Sequence, residues 1–145
     1  GYRTAVQEGG GERNPLLEVT GNFSEASGYE AAKQVLALSS RPTAIFACND
    51  SMAIGVLSAL RDVGIQVPGE MALAGFDDIP ITSYLTPSLT SVEVDIQNLG
   101  IRAIETLLHA VRNKNGHQKK HVITQTKLSL RESCGCANQQ NIHQS

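Results

Sequence analysis

The stretch RPTAIFACNDSMAIGVLSALRDVGIQVPGEMALAGFDD, residues 41–78, carries the clearest indication of the fold. Two apolar runs, within 41–48 and 71–76, are continuous instead of alternating with polar residues. Continuous runs of this length are typical of strands in a parallel sheet that is covered on both faces. Between the runs, apolar residues recur at helical spacing, and Gly64 occupies the position of a helix C-terminal cap. The stretch therefore predicts a strand, a helix and a second strand.

The residues before this stretch extend the same alternation toward the N-terminus. PLLEVT at 15–20 predicts a short strand. Residues 24–38 have the apolar spacing of a helix, and Ser24 is placed to cap it. The predicted order is strand, helix, strand, helix, strand. This order is typical of an α/β fold with a parallel sheet and helices on both faces.

The residues after this stretch predict a loop, a strand, a long helix and a second strand. The loop covers 77–88 and contains two prolines, and the strand LTSVEV follows at 89–94. A helix with one apolar side is predicted over 95–113. Apolar and polar residues alternate over 121–133, which predicts a strand, and the polar residues 134–145 predict a disordered tail.

Composition limits the classes of protein to which the chain can belong. Its 145 residues are 41% apolar and 18% charged, with a net charge of −2, as in one globular domain. This balance provides no basic surface for nucleic acid, and no apolar stretch approaches the roughly 20 residues of a membrane span.

The odd cysteine count, with Cys48 inside an apolar run, favours a reducing compartment and hence the cytoplasm. Cys134 and Cys136 form a CxC pair that could bind metal or respond to redox, although no second ligand pair accompanies it.

Polar and aromatic side chains follow each of the three strands predicted before residue 77. In a parallel α/β sheet these strand ends meet at one edge, where ligands bind. No Lys or Arg stands immediately beside them to neutralise the carboxylates. The side chains are, in chain order, Asn22 and Phe23, Asn49 and Asp50, and Phe76, Asp77 and Asp78.

Two kinds of ligand suit such an edge. Carboxylates and amides bind neighbouring hydroxyls while an aromatic ring covers an apolar sugar face, which favours a polyol, sugar or nucleoside. Clustered carboxylates can instead hold Mg²⁺ for phosphoryl transfer, but neither GxxxxGK[ST] nor GxGxxG is present. Asp50 can be explained as a helix cap and Asp78 as a loop cap, whereas Asp77 has no such explanation. No catalytic residue, metal ligand or cofactor is assigned.

Many spaced elements, in order, resemble the C-terminal half of the lactose/galactose repressor (LacI/GalR) family of bacterial transcription regulators. They are PTAIFACND-SMAIG, the VP turn, GFDD, P-x-LTSV, LG-x-x-A and the closing LRES, with GNFSEASGY upstream. The resemblance covers about residues 1–133. It implies a two-subdomain core like that of a periplasmic binding protein. A sugar or nucleoside effector would bind in the cleft between the subdomains, and hinge motion would control operator binding by a protein that is not an enzyme.

The resemblance also implies roles for individual residues. Phe23 is similar to the aromatic residue that stacks on the effector. Asn49 and Asp77, with Asn22 nearby, are similar to the polar residues that bind its hydroxyls. A homodimer surface is implied on the helix that starts at Ser51 and on the loop Ile79–Leu85. Its expected residues are Met52, Val56, Ala59, Ile81, Tyr84 and Leu85.

The resemblance further implies that segments found in the family precede this chain. The DNA-binding head, most of the N-terminal subdomain and the effector-contacting arginine would lie before Gly1. Residues 1–133 are therefore expected to be a partial effector-binding and dimerisation domain. Alone they should not bind operator DNA, and helix 95–113 should expose its apolar stripe. Two alternatives stay open: a sugar-binding protein of an ABC transporter and a Mg²⁺-dependent phosphotransfer enzyme.

Overall fold

The computed structural model describes residues 1–112 and 123–136, which form a mixed α/β fold around one sheet. Within these residues the strands are β1 at Ala44–Phe46, β2 at Ala72–Asp77, β3 at Thr90–Glu93 and β4 at Lys127–Ser129. The helices are α1 at Tyr2–Glu8, α2 at Glu25–Leu36, α3 at Asp50–Asp62 and α4 at Ile96–Arg112. Short 3-10 helices lie at Pro15–Leu17, Pro80–Tyr84 and Glu132–Cys134. The predicted α/β class is confirmed.

The order of the strands brings the predicted site to one edge of the sheet. The strands are ordered β1-β2-β3-β4, and the first three are parallel to one another. At the ends of β2 and β3, Asp77 lies beside Glu93. Because β4 is antiparallel to β3, its first residue, Lys127, lies beside Glu93 as well. We call this edge, where β1, β2 and β3 end and β4 begins, the carboxyl edge of the sheet.

Two predicted strands differ from the structure. The strand predicted at 15–20 is wrong, because Pro15 begins a 3-10 helix in which the Asn14 side chain accepts a hydrogen bond from the Leu16 amide at 3.0 Å. As a result β1 has no partner on its outer side, and Phe46 is 46% exposed. The strand predicted at 121–133 is limited to Lys127–Ser129, and residues 121 and 122 lie outside the described part of the chain.

The core lies between the helix pair α2 and α3 and one face of the sheet. Gly28 and Gly55 allow the two helices to cross closely, because a Cβ atom at either glycine would overlap the backbone of the other helix. Both predicted helix caps are present: the Ser24 hydroxyl accepts from the Ser27 amide, and Gly64, with a φ of 76°, follows α3. The buried apolar residues include Ala32, Leu36, Ala53, Val56, Leu60, Met71, Leu73 and Leu89.

The opposite face of the sheet and helix α4 stay open. On that face Leu128 pairs with Val92 and is 56% exposed, so the predicted helical cover is not provided by residues 1–112 or 123–136. None of the residues of α4 is buried. The expected exposure of its apolar stripe is confirmed at positions such as Leu107 and Val111, which are 62% and 65% exposed. Exposed apolar surfaces of this kind are typical of interaction sites.

The end of the chain is only partly described. Cys134 belongs to the last 3-10 helix and is half-buried, so the predicted disordered tail does not begin there. The rest of that prediction, residues 137–145, lies outside the described residues. In the described ranges, no helix combines the length and the apolar character needed to cross a membrane.

Candidate functional site

Asn49 links two of the predicted site segments at the carboxyl edge. Its Oδ1 accepts a hydrogen bond from the Met52 amide at 2.9 Å and thereby caps α3. Its Nδ2 donates to the carbonyl of Phe23 at 3.0 Å. The Asn49 side chain therefore caps α3 and also fixes the backbone of Phe23. Each amide atom retains capacity for one further hydrogen bond, because the oxygen has two lone pairs and the nitrogen two hydrogens.

Phe23 presents its ring to solvent from a constrained backbone. It has a φ of 68° and is 70% exposed. Its neighbour Asn22 supports the turn, since the Asn22 Oδ1 accepts from the hydroxyl of Ser24 at 2.6 Å and from its amide at 3.2 Å. A backbone in the left-handed region costs free energy for a residue other than glycine. Residues with this conformation cluster at functional sites. The Phe23 ring is therefore accessible, and its role in stacking on an effector stays a prediction.

Of the three aspartates predicted at this edge, Asp77 is the one whose side chain has no hydrogen-bond partner within the described residues. It is half-buried, and its φ is 108°. Burial, and secondarily the negative charge of Asp50, raise the pKa of Asp77 above its ordinary value. Hydrogen bonds from the hydroxyl groups of a ligand would lower the pKa of Asp77 again, because they stabilise the ionised carboxylate.

Asp50 has a structural role that differs from the predicted cap. Asn49 caps α3, and Asp50, which is fully buried, follows as the first residue of the helix. The Asp50 carboxylate accepts from the hydroxyl of Ser91 at 2.6 Å and from the amide of Ile79 at 2.9 Å. Gly75 leaves the space for it, since a Cβ atom there would overlap the carboxylate. Asp50 therefore joins α3 to β3 and to the turn after β2.

Asp78 is also occupied by structural contacts. Its carboxylate accepts from Arg131 Nη1 at 2.7 Å, from the Ser129 hydroxyl at 2.7 Å and from the Thr82 hydroxyl at 3.0 Å. Burial opposes ionisation, but the hydrogen bonds from Arg131, Ser129 and Thr82 outweigh it and lower the pKa of Asp78. These contacts anchor Asp78 to the loop after β2, and the effector-binding role of Asp77 stays a prediction.

Sequence reasoning missed the continuation of the site toward α4. An open cavity of about 340 Å³ lies between the start of α4, the end of β3 and the start of β4. Glu93, the last residue of β3, lines this cavity. The reasoning that identified Asp77, that ligands bind at the carboxyl ends of parallel strands, applies to Glu93 as well. Lys127 reaches this edge through the antiparallel pairing of β4, which no local sequence signal indicates. The other polar lining residues include Asp95, Asn98 and Arg102.

The six residues expected at a dimer surface fall into two groups. Val56 and Ala59 are 3% and 1% exposed, so this part of the prediction is wrong: they face the core of their own chain. Met52 and Leu85 are half-buried against the same core. The outward side of α3 instead carries Ile54 and Ser58, which are half-exposed. Ile81 and Tyr84, in the 3-10 helix after β2, are 47% and 80% exposed.

The arrangement suits a ligand that carries several hydroxyl groups. An exposed ring, a half-buried free carboxylate and an amide with spare capacity lie along one sheet edge, as in sites that bind sugars through stacking and paired hydrogen bonds. Among the described residues, no group of three His, Cys, Asp or Glu side chains is placed to hold a metal ion.

Comparison with known proteins identifies the family. A model of the periplasmic binding protein-like domain matches residues 1–134. The chain is similar to the ribose operon repressor of Escherichia coli, with 38% identity over 124 residues, which are 86% of this chain and 38% of that protein. Among solved structures it is similar to the transcriptional regulator CelR in complex with cellobiose, at a TM-score of 0.85 and 29% identity, over 91% of this chain and 40% of that one.

A third protein supports the same relationship. It is a sugar-binding transcriptional regulator of the LacI family from Escherichia coli, solved with phosphate, with a TM-score of 0.78 and 32% identity over 91% of this chain and 47% of that one. The chain thus spans about two fifths of the curated relative that it matches. The chain belongs to the periplasmic binding protein-like domain family, and it corresponds to the C-terminal, effector-binding part of LacI-family transcriptional regulators.

Proposed function

We propose that this domain senses a sugar or nucleoside for a bacterial transcription repressor and that the bound effector controls the affinity of the repressor for operator DNA. The observation that carries the proposal is the free carboxylate of Asp77, half-buried at the same sheet edge as Asn49 and the exposed ring of Phe23. The relatives agree in class, since one is a ribose operon repressor and another is a regulator in complex with cellobiose.

Each site residue has a defined task in this proposal. The Asp77 carboxylate accepts hydrogen bonds from two neighbouring hydroxyls of the effector. Phe23 stacks on an apolar face of the sugar or base, and its position is set by the bond from Asn49 to its carbonyl. Asn49 and Asn22 use their remaining amide capacity toward the same ligand.

The open surfaces indicate how effector binding would reach the DNA. The apolar stripe of α4 and the uncovered sheet face are the surfaces on which a second subdomain would pack. The cavity lined by Glu93 and Lys127 would then lie near the hinge between the two subdomains. A ligand that contacts both walls stabilises the closed arrangement, and a DNA-binding head attached to the second subdomain would respond to the change. Such a protein is a cytoplasmic regulator and not an enzyme.

The homodimer of this proposal uses a revised surface. The exposed side chains of Ile81 and Tyr84 lie on one short helix, and Ile54 and Ser58 lie on the outward side of α3. Tyrosine is enriched among residues that dominate binding energy. Tyr84→Asp should weaken self-association by about 2 kcal/mol, or roughly thirtyfold, in sedimentation equilibrium. Tyr2→Asp, at an exposed tyrosine of α1, is the control, and an equal effect of both substitutions would reject this surface.

Nuclear magnetic resonance on the ¹⁵N-labelled chain tests effector binding directly. Ribose, cellobiose and adenosine are titrated separately to high millimolar concentration, because one wall of the cleft should bind only weakly. At least one probe should shift the amide signals of Phe23, Asn49 and Asp77 with a dissociation constant in the millimolar range, or about −4 kcal/mol.

Asp77→Asn should abolish these shifts, whereas Glu12→Gln, which removes an exposed carboxylate elsewhere, should preserve them.

The raised pKa of Asp77 adds a pH dependence to effector binding. Because the effector favours the ionised carboxylate, its affinity should increase as the pH rises from about 4 to about 7. If no probe shifts these signals, or if Asp77→Asn binds normally, the assignment of the site is wrong. In the intact regulator, Asp77→Asn should abolish the effector response and leave operator binding unchanged.

A further inference from the structure

Cys134 and Cys136 lie together on the side of the sheet opposite the carboxyl edge. Cys134 ends the last 3-10 helix and is half-buried, and Cys136 is exposed. Between them Gly135 has a φ of 77°, so the chain turns sharply, and this glycine approaches Pro68, which precedes β2. The pair therefore belongs to a part of the molecule that the effector site does not use.

The segment that carries the pair is firmly attached to the sheet. The Ser133 hydroxyl donates to the carbonyl of Leu73 at 2.7 Å and accepts from the amide of Thr90 at 2.8 Å. The carboxylate of Glu132 accepts from both the amide and the hydroxyl of Ser88, at 2.8 and 2.9 Å. Glu132 and Ser133 are thus fixed to the sheet, and they hold the adjacent Cys134 at a defined position.

The two thiols are arranged as neighbours. The amide of Cys136 donates to the Cys134 sulfur at 3.4 Å, and the Cys136 thiol lies 3.9 Å from the Cys134 carbonyl. Residues separated by one position have Cα atoms at most about 7.6 Å apart, and a turn shortens this distance toward the roughly 4.4–6.8 Å range of disulfides. A bond between the two sulfurs therefore needs only a local adjustment around Gly135.

The surroundings make the two thiols chemically unequal. Burial alone would raise the pKa of Cys134, but hydrogen bonds from the Thr90 hydroxyl and from Cys136 outweigh it and lower that pKa. The bond to Cys134, together with its negative charge, raises the pKa of Cys136. Since the thiolate is the nucleophile, Cys134 is the residue that attacks and Cys136 is the residue that resolves.

We propose that Cys134 and Cys136 form a redox-active dithiol that is reversibly oxidised by a low-molecular-weight disulfide. The Cys134 thiolate attacks one sulfur of the disulfide RSSR, forms a mixed disulfide and releases the first thiolate RS⁻. The Cys136 thiol then gives up its proton to solvent, attacks the Cys134 sulfur and releases the second RS⁻. The protein dithiol loses two electrons, RSSR gains them, and the products are one intramolecular disulfide and two thiols.

The bond should be readily reversible. A disulfide that spans one glycine at an exposed turn departs from relaxed geometry, and strained or exposed disulfides are the labile ones. Cys48 provides an internal contrast, because it is exposed but its environment contains no second cysteine among the described residues. It can form a mixed disulfide but has no thiol with which to resolve it.

Intact mass spectrometry with oxidised glutathione tests the proposal in the 145-residue chain carrying Cys48→Ser. The parent chain should lose two hydrogens and retain no glutathione, and dithiothreitol should restore its mass. Cys136→Ser should retain one glutathione, on Cys134. Cys134→Ser should react more slowly than Cys136→Ser, because the Thr90 hydroxyl still lowers the pKa of Cys134 in the latter, whereas the Cys136 thiol has no comparable stabilisation. Circular dichroism should show that both variants keep their helices.

A measurement without substitution at the pair completes the test. Under limited iodoacetamide, peptide mapping of the Cys48→Ser chain should show Cys134 modified before Cys136. A parent chain that retains glutathione, forms disulfide-linked dimers or resists oxidation would overturn the proposal. Equal reaction rates of the Cys134→Ser and Cys136→Ser variants, or faster alkylation of Cys136, would overturn the assigned roles of the two residues.

Discussion

The ion pair between Arg131 and Asp78 holds the turn that carries Asp77, so removing the arginine should weaken the whole carboxyl edge. The Arg131 side chain is 21% exposed and that of Asp78 11% exposed. Arg131 Nη1 donates to Asp78 Oδ1 and to the carbonyl of Leu89, in both cases at 2.7 Å. Arg131→Met preserves most of the side-chain volume and removes both bonds.

The magnitude follows from what the substitution leaves behind. Breaking one side of a buried ion pair costs about 3–5 kcal/mol, because the remaining charge is uncompensated. Asp78 retains hydrogen bonds from Ser129 and Thr82, and partial exposure of the site admits water. The expected loss is therefore at the low end, about 3 kcal/mol, which is a large part of the roughly 5–15 kcal/mol that stabilises a domain.

Urea unfolding followed by circular dichroism at neutral pH measures this loss. With a slope near 2 kcal/mol per molar urea, the midpoint should fall by about 1.5 M. Asp78→Asn should have a similar effect, and the double variant should lose less than the sum by about 0.5–3 kcal/mol. Arg61→Met is the matched control, since this side chain is 77% exposed and should change stability by less than about 0.5 kcal/mol. Losses below about 1 kcal/mol in both single variants, or strict additivity, would refute the role of the pair.

Acid should remove the difference between the parent chain and Arg131→Met. The pKa of Asp78 is lowered in the folded state, so its stabilising contribution is present above the unfolded-state pKa of about 3.9. The contribution disappears as the pH falls through the folded-state pKa. The separation between the two unfolding curves should therefore stay constant down to about pH 4 and shrink at lower pH, and a separation that persists undiminished well below pH 4 would contradict this explanation.

Three further predictions concern stability. Gly55→Ala places a methyl group against the backbone of α2 and should lower the free energy of unfolding by about 2–3 kcal/mol. Gly100→Ala, in open space on α4, should raise it by about 0.5–1 kcal/mol, and thermal unfolding distinguishes the two variants. Ser133→Ala leaves two backbone groups of the sheet without their partner and should cost about 2–3 kcal/mol in urea unfolding. Asn49→Ala removes both the acceptor that caps α3 and the donor to the Phe23 carbonyl, and it should lose about 1 kcal/mol in urea unfolding.

Local rules in the sequence were sufficient for much of the fold. Continuous apolar runs predicted β1 and β2, the segment LTSVEV predicted β3, and helical spacing with a capping residue predicted α2 and α3. These signals work because they depend on neighbours a few residues apart. The strand predicted at 15–20 failed because Pro15 and Asn14 favour a 3-10 turn, and an apolar run alone does not determine whether a strand finds a partner.

Two of the six residues predicted at the dimer surface, Val56 and Ala59, were wrong for a related reason. The family resemblance indicates which helix contributes to an interface, but the side of that helix that is exposed depends on how it packs. Val56 and Ala59 face the sheet, and only the tertiary structure reveals that Ile54 and Ser58 point outward. A one-residue difference on a helix turns the side chain by about 100°, which is enough to exchange core for surface.

By itself, the sequence determined that carboxylates and amides collect at one edge of a parallel sheet, because the alternation of strands and helices makes the strands parallel and brings their carboxyl ends to the same edge. It could not determine which carboxylate is free. The partners that occupy Asp50 and Asp78 are Ser91 and Arg131, which lie 41 and 53 residues away along the chain. Only folding brings these donors to the two aspartates and leaves the Asp77 side chain without a hydrogen-bond partner within the described residues, because hydrogen bonds at such separations leave no local pattern.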